Sequence, residues 1–308
     1  MTRVFIDGSA GTTGLRIRER LSARKDVELI VLPEEIRKDP SARADALNSA
    51  AVSFLCLPDV AAVEAASFVT VPDAVVIDTS TAHRVAEGWT YGMPELAGRR
   101  DALKTAKRIA NPGCHATGFI SLVAPLTAAG LIRKDARLSC FSLTGYSGGG
   151  KKMIAEYESP DRDPLYQAPR QYGLGQTHKH LPEMSAYTGL EHAPVFCPIV
   201  APYYAGMEVT VPLTPAETSA SVEEIREVYR AYYREGLIRF AEGTDENGFL
   251  SAGAFAGRDD LEVSVFGNGE RILLVSRFDN LGKGASGAAI QNMNIALGLD
   301  ETTGLVVE

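Results

Sequence analysis

Phe119, Leu122, Val123 and Leu126 recur at i, i+3, i+4 and i+7, a spacing that puts them on one face of a helix. Asn111-Pro112-Gly113 ahead of them is turn chemistry, so the helix is predicted to open at Cys114. Upstream, the apolar run Val4-Phe5-Ile6 leads through a glycine-rich turn, Asp7 to Gly14, into the helix-like stretch Leu15 to Leu21. Val27 to Leu32, Val52 to Leu57 and Ala74 to Ile77 are short β-branched-rich runs that read as buried strands, and Arg108-Ile109-Ala110 reads as the next one. Ala61 to Ala66 is a good helix former between two of them. The βαβα alternation predicts a parallel sheet.

The pattern changes beyond the helix after Cys114. Arg137 to Thr144 looks like a strand running into Gly145-Tyr146-Ser147-Gly148-Gly149-Gly150-Lys151. Leu261 to Val265 alternates apolar and polar, and Gly267-Asn268-Gly269-Glu270 joins it to Arg271 to Val275 as a hairpin. Ser221-Val222-Glu223-Glu224 is a capping box opening a helix through Tyr233. A second, α+β domain with a largely antiparallel sheet follows from these elements. The apolar, helix-like segment Ala285 to Leu299 is expected to pack back on the first domain.

At 308 residues the chain has room for two cores. A net charge of −8 argues against a nucleic-acid or anionic-membrane partner, and no apolar run reaches the length of a membrane span. Four dispersed cysteines without a C-x-x-C pair suit neither a disulfide framework nor a zinc site, which makes a reducing cytoplasm the expected location.

In the first turn of a helix, a Cys114 thiol would sit beside unpaired backbone N–H groups and the positive end of the helix dipole, both of which favour the thiolate. Tyr172 to Glu183 carries two of the five histidines. His178 and His180 lack the further ligands of a metal site, whereas either could exchange a proton with a nucleophile at Cys114 while Glu183 fixes its tautomer. Residues two apart in an extended segment share a side, so spacing does not choose between the two histidines. The turn bearing Gly8, Ser9, Gly11, Thr12, Thr13 and Gly14 lies between strand and helix, where a dinucleotide pyrophosphate binds. Glu34 and Glu35 stand where a carboxylate would hold the ribose of NAD, and Arg37 and Lys38, which follow at once, could pair with the 2′-phosphate of NADP. Strand ends in such sheets carry ligands, which adds Pro58 as a cofactor candidate, draws attention to Asp78 to Arg84, and makes Arg84 a candidate binder of an anionic substrate. Lys151, after consecutive glycines, is a second candidate for an anionic group.

Taken together, Gly8 to Gly14, Asp78 to Arg84, Tyr91 to Leu96, Asn111 to Gly118, Gly145 to Lys151, His178 to Glu183 and Asp279 to Ala285 resemble the shorter form of the N-acetyl-gamma-glutamyl-phosphate reductase family. That family lies within the larger group containing aspartate-semialdehyde dehydrogenase. The resemblance implies an α/β chain with a Rossmann-like, parallel-sheet NADP-binding domain (residues 1–113 and 282–308) and an α+β catalytic and oligomerisation domain (residues 114–281). It further implies Cys114 as nucleophile, His180 as acid and base, Ser80 and Asn280 as further NADP contacts, and a homo-oligomer, dimer or tetramer, acting on a small acyl phosphate in arginine biosynthesis. His115 stands where many relatives carry an aromatic residue. Two other readings suit the same residues: a sister reductase acting on aspartyl phosphate or N-acetyl-aminoadipyl phosphate, and a nicotinamide-binding protein without turnover.

Overall fold

The computed structural model describes residues 1–307. The first part of the chain forms β1 (Thr2–Asp7), α1 (Thr12–Ser22), β2 (Val27–Ile30), α2 (Pro40–Ser49), β3 (Val52–Leu55), α3 (Asp59–Ser67), β4 (Val75–Asp78), β5 (Thr90–Tyr91), α4 (Arg99–Thr105) and β6 (Arg108–Ala110). The second part holds α5 (Cys114–Ala128), β7 (Ser139–Gly145), α6 (Gly150–Glu158), β8 (Arg170–Gln171), α7 (Leu181–Thr188), β9 (Val195–Ala201), β10 (Met207–Leu213), α8 (Val222–Tyr232), β11 (Ile238–Phe240), β12 (Leu261–Gly267) and β13 (Ile272–Phe278). A last helix, α9 (Gly287–Ala296), follows a π-helical turn over Gly282–Ser286. Two compact units result, one from Met1–Pro112 with Ala285–Leu305, the other from Gly113–Gly284 with the chain from Val306.

The first unit holds a six-stranded sheet in the order β2-β1-β3-β4-β6-β5, parallel throughout. Successive side chains of a strand face opposite sides, so each strand feeds two cores. Val4, Ile6, Val52, Phe54 and Ile77 join Ile17 and Leu21 of α1 and Ile290 and Met293 of α9 on one side. Phe5, Leu55 and Val76 join Leu47 of α2 and Ala62 and Ala65 of α3 on the other. Burial on both faces explains why these strands read as unbroken apolar runs.

In the second unit, seven strands run β11-β12-β13-β10-β7-β9-β8. Most neighbours are antiparallel, while β7 with β9 and β11 with β12 are parallel. The sheet is therefore mixed and largely antiparallel. The elements read from sequence above do not include β9 and β10, although β10 alternates buried and half-buried positions along its length. Helix α5 is buried nearly all round and packs on β10, β13, α7 and α8. Gly118 permits the close approach, since a Cβ there would lie 2.5 Å from Val209 Cγ2 and 2.9 Å from Phe278 Cε1. Pro125 inside α5 has no N–H to give the Ser121 carbonyl four residues back. Tyr233 of the segment leaving α8 supplies the missing donor, its hydroxyl lying 2.6 Å from that oxygen. The capping box at Ser221 forms with both halves present.

Candidate active site

Cys114 is the first residue of α5, and its N-cap, Gly113, is extended and offers no side-chain cap. No side-chain cap thus competes with negative charge for the N–H groups of the first turn. Only glycine fits at position 284 beside the thiol, because a Cβ there would come within 2.9 Å of Cys114 Cβ and 3.1 Å of the Asp279 carbonyl oxygen. The turn from Asp279 is held by its own carboxylate, which accepts from the N–H groups of Leu281 at 2.6 Å and Gly282 at 3.1 Å.

Helix α7 brings its entry to the same end of α5. His180 occupies its N-cap position and Glu183 its first turn, both buried. The Gly113 N–H donates to Glu183 Oε2 at 3.1 Å, so this carboxylate braces the start of α5. His178 and His180 lie with ring centroids 4.7 Å apart and edge to face, and the His180 backbone N–H donates to His178 Nδ1 at 3.2 Å. Both rings also neighbour His115, at 5.7 and 5.6 Å. His115 is buried, with Nδ1 2.6 Å from Ser142 Oγ and Nε2 2.7 Å from the Tyr172 hydroxyl. Burial, with a smaller contribution from His178, pushes the His115 pKa down to about 3. Burial and the Cys114 sulfur hold the Tyr172 hydroxyl well above the usual tyrosine range. Tyr172, Ser142 and His115 were not assigned roles by the sequence reasoning. Tyr172 opens the very stretch that contains both histidines, and only the fold shows that it meets a residue of α5.

In the first unit the glycine turn is built for close approach. Gly8 has φ +85°, and a Cβ on it would lie 2.2 Å from the Cys56 carbonyl oxygen. A Cβ on Gly14 would lie 2.5 Å from the Gly8 oxygen. Gly11 caps α1 without a side-chain hydrogen bond, and Thr12 Oγ1 in its first turn is buried with no hydrogen-bond partner among the described residues. An open helix N-terminus with an unused hydroxyl suits a phosphate. Beside it, a cavity opens between the ends of β1 and β2, lined by Gly8, Ser9, Leu32, Arg18 and Arg37 among others. Arg18, one of three arginines on α1, escaped the sequence reading because charges spaced along an amphipathic helix look like a solvated face. Arg37 also pairs with Glu34 at 2.5 Å.

Two matched family models span much of the chain: the semialdehyde dehydrogenase NAD binding domain over residues 33–106 and the semialdehyde dehydrogenase dimerisation domain over residues 114–280. N-acetyl-gamma-glutamyl-phosphate reductase of Rhizobium etli (strain CIAT 652) is 44% identical over 305 residues, covering 96% of this chain and 98% of its own. The same-named protein of Rhizobium leguminosarum bv. trifolii (strain WSM2304) is 45% identical over 305 residues, with the same coverage. The chain belongs to the N-acetyl-gamma-glutamyl-phosphate reductase family. Among solved structures, aspartate semialdehyde dehydrogenase II of Vibrio cholerae superposes with a TM-score of 0.70 at 16% identity, covering 97% of this chain and 99% of that one. A probable aspartate-semialdehyde dehydrogenase from Pseudomonas aeruginosa gives 0.71 at 17%, covering 96% and 98%. These two share the fold, a parallel-sheet nicotinamide-binding unit with a mixed-sheet partner.

The remaining candidates of this family member are placed as follows. Pro58 is the N-cap of α3. Ser80 is buried, and its hydroxyl donates to Asp78 at 2.7 Å while its N–H donates to the same carboxylate at 2.8 Å. Arg84 is buried, with Nε donating to the Asn111 carbonyl at 3.0 Å and a terminal nitrogen to that of Thr79 at 3.3 Å. It therefore braces the ends of β4 and β6. Asn280 is buried in the second unit, accepting from the Gly206 N–H and donating to Ser147 Oγ, each at 2.9 Å. Lys151 is exposed in the first turn of α6, and Lys38 is exposed beyond Arg37. The Gly145 to Lys151 loop owes at least one glycine to packing, since a Cβ on Gly145 would lie 2.5 Å from the Tyr204 oxygen. Its N–H groups at Tyr146 and Ser147 are used by the carbonyls of Tyr203 and Tyr204. No helix among the described residues is long and apolar enough to cross a membrane.

Proposed function

We propose that this chain reduces N-acetyl-γ-glutamyl phosphate with NADPH to N-acetylglutamate semialdehyde, releasing phosphate, as a step of arginine biosynthesis. The observation that carries the reading is Cys114 at the first position of α5, with His180 and Glu183 at the entry of α7, in a chain 42–45% identical to proteins bearing that reductase's name. The Cys114 thiolate attacks the acyl carbon; the C–O bond to phosphate breaks and a thioester forms. Phosphate, a good leaving group, departs without needing a strong acid. A bound reduced nicotinamide supplies the hydride for the thioester carbonyl. His180 gives a proton to the oxygen as negative charge develops there and takes it back as the hemithioacetal expels the Cys114 sulfur. Glu183 holds the start of α5, and with it the sulfur, through the Gly113 N–H.

The α1 turn and its cavity support the finer cofactor reading. Gly8, Gly11, Thr12 and Gly14 would hold the pyrophosphate, and Arg18 with Arg37 would pair with a 2′-phosphate. Glu34 is engaged with Arg37, and Asp7, the carboxylate that lines the cavity, is paired with Arg43, which leaves Arg18 and Arg37 to face an anion there. For the assembly, Phe141, Val195 and Leu273 on the strands of the mixed sheet are exposed, which supports a homo-oligomer formed through that unit. Four free cysteines fit a reducing cytoplasm.

The test is the reverse reaction, semialdehyde with phosphate and NADP, run side by side on the N-acetylglutamate, aspartate and N-acetyl-aminoadipate aldehydes. Preference for the first, lost in Cys114→Ser while NADPH still binds by fluorescence titration, is the expected result. Preference for another aldehyde overturns the substrate, and full activity in Cys114→Ser overturns the mechanism.

A further inference from the structure

The stretch carrying His178 and His180 is tied to the mixed sheet by a side chain that stands in for a strand. Along the outer edge of β9, β8 pairs Arg170 with Val200 and Gln171 with Ile199, and the Tyr172 N–H donates to the Pro198 carbonyl at 3.0 Å. The chain then turns away at Gly173, which has φ +63°. The amide of Gln176 takes the next backbone pair of β9, that of Phe196: its Nε2 donates to the Phe196 carbonyl at 2.7 Å, and its Oε1 accepts the Phe196 N–H at 2.9 Å. Gln176 is exposed, yet it holds φ +54° in the left-handed region, which among the described non-glycine residues only Asn247 shares. Such a conformation persists where the surroundings over-determine it, and here the two bonds to Phe196 do so. The Phe196 ring is buried and stands edge on to His178, with centroids 5.1 Å apart.

His178 passes this placement on. Its Nδ1 accepts the His180 backbone N–H at 3.2 Å, and its carbonyl accepts the Leu181 N–H at 3.0 Å, so the turn leads straight into α7 with His180 as N-cap. A ring nitrogen that accepts carries no proton, which puts the hydrogen of the neutral imidazole on Nε2. That ring is unsuited to exchanging protons with a substrate near neutral pH. A proton added at Nδ1 would meet the His180 N–H donor against donor, and loss of the Nε2 proton would leave an imidazolate. We propose that His178 is a positioning residue rather than the acid and base, and that Gln176, Phe196 and His178 form a strut fixing His180 at the entry of α7. The inference rests on the reading of His180 as the proton donor of the reductase reaction.

The test has one arm on the proton and one on turnover. Protein made with isotopically labelled histidine, with the His178 signals identified by their loss in His178→Asn, reports the tautomer by nuclear magnetic resonance. His178 Nδ1 should be unprotonated at neutral pH, and a proton there overturns the proposal whatever the activity. In the reverse reaction, His178→Leu, which fills the space without an acceptor, should lower kcat by about a hundredfold with KM for the aldehyde little changed, the scale of a misplaced reacting group. His178→Asn, whose Oδ1 can accept the N–H two residues on as in an Asx turn, should recover most of that loss and keep the parent's pH profile. Gln176→Gly, which relieves the backbone while removing the clamp, should lower kcat without a matching fall in Tm. Equal losses in His178→Asn and His178→Leu overturn the positioning role, since an amide does not replace an acid and base, and an unchanged kcat in Gln176→Gly overturns the strut. A parent that turns over none of the three aldehydes overturns the reductase reading instead, and the tautomer then decides the role of His178 by itself.

Discussion

His115→Phe, read as stability against pH, tests the burial of that imidazole independently of any activity. In the folded chain its pKa is pushed down to about 3, and in the unfolded chain it returns to about 6.5. Below that value the unfolded state binds a proton that the folded state refuses, so stability rises with pH and is lost as pH falls from about 6.5 toward 3. Within that window the loss approaches about 1.4 kcal/mol per pH unit. Between pH 7 and pH 5 the contribution of this one group integrates to about 2 kcal/mol. Urea unfolding of parent and variant at both pH values, followed by the tyrosine band of the near-ultraviolet circular dichroism, measures it; every tyrosine except Tyr91 lies in the second unit, while the one tryptophan, Trp89, lies in the first and reports that unit separately. Carboxylates and the other histidines act alike in both proteins and cancel in the difference. The variant should lose about 2 kcal/mol less than the parent on going to pH 5. Equal losses would show that His115 accepts its proton in the folded chain.

Glu183→Ala leaves the buried Gly113 N–H without its acceptor at a cost of about 1–3 kcal/mol; calorimetry should show a lower Tm, with Glu183→Gln, whose amide oxygen still accepts, losing much less. His180→Asn should cut turnover by roughly two to four powers of ten, and a mild effect there beside a severe one in His178→Asn would transfer the acid and base role to His178. Arg18→Ala and Arg37→Ala should each raise KM for NADPH while leaving KM for NADH nearly unchanged; equal effects on both cofactors would remove these arginines from 2′-phosphate recognition.

The first unit was legible because its physics is local. Apolar runs at β1, β3 and β4 and the glycine turn are short-range signals, and each falls within a few residues of the element observed. Cys114 at the head of α5 was legible for the same reason: turn residues followed by a helical period. What escaped depends on contacts far apart in sequence. Tyr172 and His115 are 57 residues apart, and Ser142 and His115 are 27 apart, so no window contains the chain they form. The glycines of the 145–151 loop look like a ligand cradle until the Tyr204 carbonyl is placed against Gly145. Arg84 and Asn280 illustrate a converse ambiguity: a polar residue at a strand end carries the same letter whether it greets a ligand or braces the fold, and both here make bonds that brace it.

Position outweighs composition in deciding which thiol can hold a negative charge. Cys56 follows β3, and burial pushes its pKa up to about 12, only partly offset by a bond from Thr79. Its backbone carbonyl serves the nicotinamide-binding unit instead, as the oxygen that forbids any side chain at Gly8. Cys140, inside β7, is driven higher still by the same loss of water. In both, the loss of water around the sulfur disfavours the anion more than any nearby donor favours it. Cys114 instead opens a helix whose first N–H groups have no side-chain cap. A side chain at Gly113 that capped those groups would compete with the sulfur for them, so Gly113→Ser should raise the pH midpoint of Cys114 alkylation by iodoacetamide, and an unchanged or lowered midpoint would mean that the N-terminus of α5 does not favour the thiolate.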